Sequence, residues 1–283
     1  MGTLYVVATP IGNLSDFSKR AIDTLKDCDL ILAEDTRQTI KLLNHFDIKN
    51  KMISYHKYNE KSKSDEIINE LKKGKNISLV SDAGTPCISD PGYILIKKAR
   101  ENNIEVIGIP GCSAIIDALS ISGLDTSSFT FYGFVPTDNK SKDELFNEIK
   151  HSNVKVKVLY ESPKRLIKLL ENIKNVFPDS LVCVCSELTK MHERSIYGKI
   201  EEVYEKTSNT KGDLKGEYVV LLSNKYEEKK QADEICLESK LLDLIIKDCC
   251  TLKDAVNKLN SNNKEISKKD IYNASLNLKK LLK

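Results

Sequence analysis

Short apolar runs alternate with amphipathic stretches along the first 223 residues of the 283-residue chain. Apolar runs of about four to eight residues are typical of buried strands, whereas apolar positions repeated every three or four residues indicate helices. The runs predict strands at Leu4–Ala8, Leu30–Ala33, Ile77–Ser81, Ile104–Ile109, Phe129–Phe134, Val154–Glu161, Leu181–Glu187 and Tyr218–Leu222, with Ser195–Ile200 as a candidate further strand. The amphipathic stretches predict helices at Ser18–Lys26, Thr36–His45, Ser64–Lys73, Tyr93–Asn102, Ser113–Ser122 and from Pro163 onward. This alternation predicts the α/β fold class.

The length of the chain favours two or three compact units. Pro110 and Gly111 interrupt the pattern, so we expect an N-terminal α/β domain at 1–111 and a second α/β domain at 112–223. The charged run that follows lacks large aliphatic residues and predicts a linker at 224–233. A small helical module is expected at 234–283, with amphipathic helices at Glu234–Lys247, Leu252–Leu259 and Ser267–Leu282.

The start of the chain and the spacing of its cysteines bear on the cellular location of the protein and on metal binding. The start Met1–Val7 carries no basic leader, and no segment has about 18 consecutive apolar residues, so we expect a cytoplasmic protein without a membrane span. The eight cysteines include no C-x-x-C pair, which predicts free thiols, and Cys183 and Cys185 alternate within an apolar run as small hydrophobic residues do. His192-Glu193 lacks the second histidine of a zinc-binding helix. We therefore expect no metal site.

Net charge is only +3, but its distribution along the chain is uneven. The segment Lys253–Lys283 holds eight lysines against Asp254, Glu265 and Asp270. Such a segment fits either a solvated helical face or a surface that faces phosphates.

Three loops rich in glycine and proline follow predicted strands, at Thr9–Asn13, Asp82–Gly92 and Pro110–Ser113. Ligands of open α/β sheets bind beyond the carboxyl ends of the strands, so these loops predict one shared site. The chain contains neither G-x-G-x-x-G nor G-x-x-x-x-G-K-[ST], and it therefore lacks the usual loops for NAD and for nucleoside triphosphates. The residues alone indicate an α/β enzyme with a ligand site between two domains.

Longer strings carry a more specific similarity. They are Leu4–Leu14 (LYVVATPIGNL), Ala33–Arg37 (AEDTR), Ser81–Gly92 (SDAGTPCISDPG), Ile109–Ala114 (IPGCSA), Phe131–Pro136 (FYGFVP), Tyr160–Arg165 (YESPKR) and Glu187–Lys190 (ELTK). From about Leu4 to Leu222 the chain closely resembles the ribosomal RNA small subunit methyltransferase I family, within the tetrapyrrole methylase superfamily. The tail resembles the helix-turn-helix-like C-terminal module of that family.

The resemblance implies two α/β domains of the tetrapyrrole methylase type, with S-adenosylmethionine in the cleft between them and usually a homodimer. It implies 2′-O-methylation of a cytidine in the decoding region of 16S rRNA, on the small ribosomal subunit. The residues that it places against the cofactor are Ile11, Asp82, Ala83, Gly84, Thr85, Ser113, Ala114, Tyr160, Ser186 and Tyr218.

A ribose hydroxyl is a weak acid, so a general base or a cation beside the developing alkoxide should help the transfer. Candidate bases are the acids at predicted strand ends, with two histidines in addition: Glu34, Asp35, Glu161, Glu187, His56 and His192. Candidate cations are Arg37, Lys164, Arg165, Lys190 and Arg194. We favour Glu34, Asp35 and Arg37 together with Glu161 and Arg165 as catalytic residues, because their strings separate this family from tetrapyrrole enzymes.

Two alternatives stay open at this point. One is a methylase of the same fold that acts on a tetrapyrrole or another small acceptor. The other is a ribosome-assembly factor without catalysis, which the retained Asp82, Gly84 and Ser113 disfavour.

Overall fold

The computed structural model describes residues 1–210, 216–224, 237–248, 250–262 and 267–281. The chain forms two compact units, Met1–Tyr226 and Glu227–Lys283. Apart from Asn224, the linker expected at 224–233 lies outside the described residues.

The first sheet of unit 1 contains five strands, in the order β3-β2-β4-β1-β5 and all parallel. They are β1 (Thr3–Val7), β2 (Leu30–Ala33), β3 (Met52–Ser54), β4 (Ile77–Val80) and β5 (Glu105–Ile109). Because every strand points the same way, all of their carboxyl ends lie along one edge. The loops that follow β1, β4 and β5 are therefore neighbours.

Helices cover both faces of this sheet: α1 (Lys19–Asp27), α2 (Thr36–His45), α3 (Glu60–Lys72) and α4 (Tyr93–Glu101). Successive strand residues face opposite sides, so Leu32 packs into one cluster while Ile31 and Ala33 pack into the other. The Ser18 hydroxyl accepts a hydrogen bond from the Ala21 N–H at 3.1 Å and caps α1.

The second sheet of unit 1 is mixed, in the order β6-β7-β10-β8-β9. Its strands are β6 (Phe129–Phe134), β7 (Val156–Glu161), β8 (Leu181–Ser186), β9 (Arg194–Lys199) and β10 (Tyr218–Ser223), and only β6 and β7 pair in parallel. Helix α5 (Ala114–Ile121) packs on one face, where Cys183 and Cys185 are buried. The other face carries α6 (Asn139–Lys150), α7 (Pro163–Val176) and α8 (Ile200–Ser208).

Unit 2 consists of α9 (Leu237–Asp248), α10 (Leu252–Asn262) and α11 (Lys268–Leu281). Its small core contains Leu241, Ala255, Ala274 and Leu278. Within the described parts of the chain, no helix has both the length and the apolar character needed to cross a bilayer.

The predicted strands are all present, within two residues at each end, and the candidate strand at Ser195–Ile200 is confirmed as β9. Four elements were not predicted: β3, α6, α8 and a short 3-10 helix at Leu14–Asp16. The third helix begins at Glu60 rather than Ser64, which brings a buried carboxylate into its first turn. The packing expected for Cys183 and Cys185 is confirmed, since both are fully buried.

Candidate active site

A cavity of about 410 Å³ lies within unit 1, where loops of the first sheet meet residues of the second. Ile11 follows β1, Gly84 follows β4 and Ser113 follows β5, while Tyr160 belongs to β7 and Tyr218 to β10. Its volume lies in the range of about 300–1,000 Å³ that is usual for small-molecule sites. A cavity of the size of a small-molecule site therefore lies where the loops after the parallel strands meet.

Backbone hydrogen bonds tie the first-sheet loops together below the cavity. Thr9 and Gly84 exchange N–H···O bonds of 2.9 and 3.0 Å, which form an isolated antiparallel bridge. The Thr9 hydroxyl donates to the Ser81 carbonyl at 3.2 Å, and the Thr85 hydroxyl donates to the Cys112 carbonyl at 3.1 Å. This wall of the cavity is consequently held in place by main-chain bonds and by two threonine hydroxyls.

The loop after β4 has an unusual backbone. Cys87 and Ser89 have φ values of 72° and 68°, and Gly92 has 137°, a region that residues with a side chain rarely adopt. Glu60, only 8% exposed, accepts hydrogen bonds from the Gly92 and Ile94 N–H groups, both at 3.1 Å. Such strain persists only where the surroundings fix it, and here a buried carboxylate holds the end of the loop.

Acidic side chains gather on this side of the site. Burial and the nearby charge of Glu34 raise the pKa of Asp90, which lines the cavity, to about 6. Burial, followed by the charge of Asp82, also raises the pKa of Glu34. Burial raises the pKa of Tyr160 to about 12, and the charges of Glu217 and Asp90 add to it. The lining is thus predominantly negative.

The Glu34-Asp35-Arg37 string lies beside the cavity, and none of its side chains is among the described lining. Asp35 caps α2 and pairs with Arg37 at 2.6 Å, and hydrogen bonding to Arg37 lowers the pKa of Asp35 to about 2. The Asp35 N–H donates to Asp82 Oδ1 at 3.0 Å. Glu34 is half-buried and faces Asp82.

Glu161 and Arg165 form an ion pair in the second half of unit 1. Glu161 is 2% exposed and lies 2.6 Å from Arg165 Nη2, and it also accepts the Ser162 N–H at 2.7 Å. Arg165 Nη1 donates to the Val135 carbonyl at 3.0 Å. The pair therefore joins the end of β7, the start of α7 and the segment after β6.

Lys190 is the only basic residue among the described residues that line the cavity. Its Nζ lies 2.9 Å from Glu187 Oε1, and Glu187 and Thr189 have φ values of 52° and 67°. A Cβ at Gly12 would stand 2.6 Å from Lys190 Cγ. The lysine chain thus crosses from the loop after β8 to the loop after β1, and only glycine leaves room for it.

Eight of the ten residues expected at the cofactor line the cavity: Ile11, Ala83, Gly84, Thr85, Ser113, Ala114, Tyr160 and Tyr218. Asp82 and Ser186 do not: Asp82 is exposed beside it, and Ser186 is buried at the end of β8. Lining residues that were not expected as cofactor ligands are Ile88, Ser89, Asp90, Phe134, Glu187, Leu188, Lys190, Gly216, Glu217 and Val219. Asp90, Phe134, Glu187 and Lys190 belong to the strings quoted above, whereas Glu217 had no sequence signal. In the described part of the chain, no three His, Cys, Asp or Glu side chains are grouped as a metal would require.

Comparison with known proteins identifies the protein family. The family model of tetrapyrrole (corrin/porphyrin) methylases matches residues 3–204. A ribosomal RNA small subunit methyltransferase I from Halalkalibacterium halodurans is 42% identical over 276 residues, which cover 96% of this chain and 94% of the relative. The chain belongs to the ribosomal RNA small subunit methyltransferase I family.

Two further matches define the extent of the similarity. The relative of the same name from Thermotoga maritima is 43% identical over 225 residues, which cover 80% of this chain and 100% of that protein. It is thus about as long as unit 1 alone. A crystal structure of diphthine synthase has a TM-score of 0.61 and 13% identity, and it covers 80% of this chain and 90% of that one. At this identity the match shows the fold alone, and the expected tetrapyrrole methylase fold class is confirmed by the family model that matches residues 3–204.

Proposed function

We propose that the protein transfers a methyl group from S-adenosylmethionine to the ribose 2′-hydroxyl of a cytidine in the decoding region of 16S rRNA. The observation that carries the proposal is similarity over nearly the whole chain to proteins named for methylation of small-subunit ribosomal RNA. The cavity supports it, because eight residues expected at the cofactor meet there.

The lining fits this cofactor on physical grounds. S-adenosylmethionine supplies a methyl group attached to a sulfonium cation, and the described lining carries Asp90, Glu187 and Glu217 against one cation, Lys190. The Gly84 backbone lies close to the Ile11 side chain, since a Cβ at Gly84 would stand 3.3 Å from Ile11 Cγ2. We propose Ile11, Asp82, Ala83, Gly84, Thr85, Ser113, Ala114, Tyr160, Ser186 and Tyr218 as the residues that hold it.

In-line methyl transfer depends mainly on positioning of the two reactants, so the protein's part is to fix the acceptor and to manage one proton. Glu34 remains a candidate base beside the cavity. We propose positioning roles for Asp35 with Arg37 and for Glu161 with Arg165, because each carboxylate is already engaged by its arginine. Arg37, 87% exposed, is accessible to an RNA phosphate.

We further propose a cytoplasmic homodimer without metal, in which 1–111 and 112–223 are the two domains of unit 1. Unit 2 is then an accessory module, since the Thermotoga maritima relative has about the length of unit 1. Deletion of the residues after Lys230 tests its role. Weaker and more salt-sensitive binding to small subunits would indicate phosphate contacts, whereas loss of the dimer in size-exclusion chromatography would indicate support of the assembly.

The main experiment measures methyl incorporation from labelled S-adenosylmethionine into small subunits that lack the modification, followed by nuclease mapping. We expect a 2′-O-methylated cytidine in the decoding region. If cofactor binds while subunits and naked 16S rRNA remain unlabelled, the acceptor is a different molecule, and small acceptors of the same fold become the next substrates to assay.

A further inference from the structure

Asp90 differs from the other carboxylates near the site in what surrounds it. It lines the cavity and is half-buried, and within the described residues no lysine or arginine is paired with it. Among the described residues, the charged groups that face it are all acidic: Glu34 just after β2, Asp82 in the loop after β4, and Glu217 just before β10. The other described titratable neighbours are the Tyr160 phenol on β7 and the Cys87 thiol in the same loop as Asp90.

A side chain outside the described cavity lining holds the loop that carries Asp90. Buried Glu60 on α3 accepts both the Gly92 and the Ile94 N–H groups, two and four residues beyond Asp90. A Cβ at Gly92 would stand 2.8 Å from Leu79 Cδ2, so the backbone lies tightly against β4. Positive φ at Ser89 and Gly92 then sets the direction in which Asp90 projects.

We propose that the Asp90 carboxylate is the general base for the acceptor hydroxyl, and that Glu60 is a positioning residue that holds it. The inference rests on the proposed function. In the reaction the hydroxyl O–H bond breaks and its proton passes to an Asp90 oxygen. The hydroxyl oxygen bonds to the methyl carbon as the methyl–sulfur bond breaks, and the electron pair of that bond stays on sulfur. Asp90 later releases the proton to water.

The contacts of the other acids favour this assignment. Asp35 is bonded to Arg37, Glu161 to Arg165 and Glu187 to Lys190, and a carboxylate stabilised by a cation is a weaker base. Glu34 is not among the described lining residues, and Glu217 lines the cavity but is exposed, whereas Asp90 is half-buried. Asp90 lines the cavity and has no cation among its described neighbours, and its raised pKa makes it a better proton acceptor near neutral pH.

The test uses the full-length protein, unmodified small subunits and labelled S-adenosylmethionine in single-turnover reactions between about pH 5 and pH 8.5. For wild type we expect the rate to rise through an apparent pKa near that of Asp90, about 6, and then to level off. Asp90→Asn should lower the plateau rate by roughly 100-fold or more and abolish this pH dependence, since general bases contribute about 10²–10⁴-fold. Asp90→Glu should restore part of the rate.

Two further variants test how the groups around Asp90 affect its role as the base. Glu34→Gln removes a neighbouring charge that raises the pKa of Asp90, so with Asp90 as the base we expect the rate profile to shift to lower pH. Glu60→Ala should lower the rate more than cofactor affinity, whereas Glu60→Gln, which keeps an acceptor oxygen, should restore it. Thermal melting and cofactor binding of each variant establish that it is folded.

A wild-type-like rate, or an unchanged pH profile, in folded Asp90→Asn would overturn the assignment of Asp90 and leave the proposed function intact. Loss of all turnover in folded Glu34→Gln would transfer the role of base to Glu34. Absence of incorporation by the wild type on every small-subunit substrate would overturn the proposed function, and this inference with it.

Discussion

Replacement of Arg165 by alanine gives a direct measure of how the second half of unit 1 is held together. The change leaves the carboxylate of Glu161, 2% exposed, without its partner at 2.6 Å, and it removes the hydrogen bond to the Val135 carbonyl. Breaking a buried ion pair from one side costs about 3–5 kcal/mol. Because Arg165 is itself 33% exposed, water can reach part of the site, and we expect the lower end, about 3 kcal/mol.

For a unit of this size, about 3 kcal/mol corresponds to a fall in Tm of roughly 6–12 °C. Differential scanning calorimetry without cofactor measures it, and Lys164→Ala, at an exposed lysine in the same first turn of α7, is the matched control. Adding Glu161→Gln to Arg165→Ala should recover part of the loss, since no unpaired charge then remains buried. A Tm for Arg165→Ala equal to that of the control would refute the reasoning. Lost methylation with an unchanged Tm would instead favour a direct catalytic role.

Three other substitutions test individual contacts in the described residues. Lys190→Met should lower turnover on small subunits by about 10–100-fold at saturating cofactor, because it removes the cation of the cavity lining; a change confined to cofactor affinity would contradict this. Gly92→Ala should cost about 2 kcal/mol more in urea unfolding than Gly74→Ala, since both have positive φ but only Gly92 is crowded by Leu79; equal costs would rule this out. Lys157 is fully buried and burial lowers its pKa, so Lys157→Met should stabilise by about 1 kcal/mol at pH 7. The pKa of Lys157 is lower in the folded than in the unfolded protein, so the free energy of unfolding of the wild type should rise relative to that of the variant as pH increases toward 10.5. A difference in unfolding free energy that does not change with pH would contradict this explanation.

The strands could be predicted from sequence because a buried strand in a sheet covered on both faces is a continuous apolar run. The missed elements have weaker patterns. Strand β3 is only three residues long at the sheet edge, with Met52, Ile53 and Ser54 all half-buried. Helix α6 buries only Phe146 and Ile149 among many charged residues.

The site was predictable only in part, for a related reason. Loops after parallel strands meet at one edge whatever their sequence, so the order of strands and loops along the chain is enough to place Ile11, Gly84 and Ser113 together. The roles of Glu60 and Glu217 depend on contacts between distant segments. Glu60 lies 32 residues before the Gly92 N–H group that it accepts, and no local pattern encodes that contact.

The main-chain bridge between Thr9 and Gly84 bears on how this fold diversifies. Bonds between peptide groups do not depend on side-chain identity, so the wall that they build tolerates extensive sequence drift. Selection can then act on a few side chains around the opening, such as Asp90 and Lys190, to change what is modified. New acceptor preferences could evolve in such a lineage by replacement of rim residues while the inherited scaffold stays as it is.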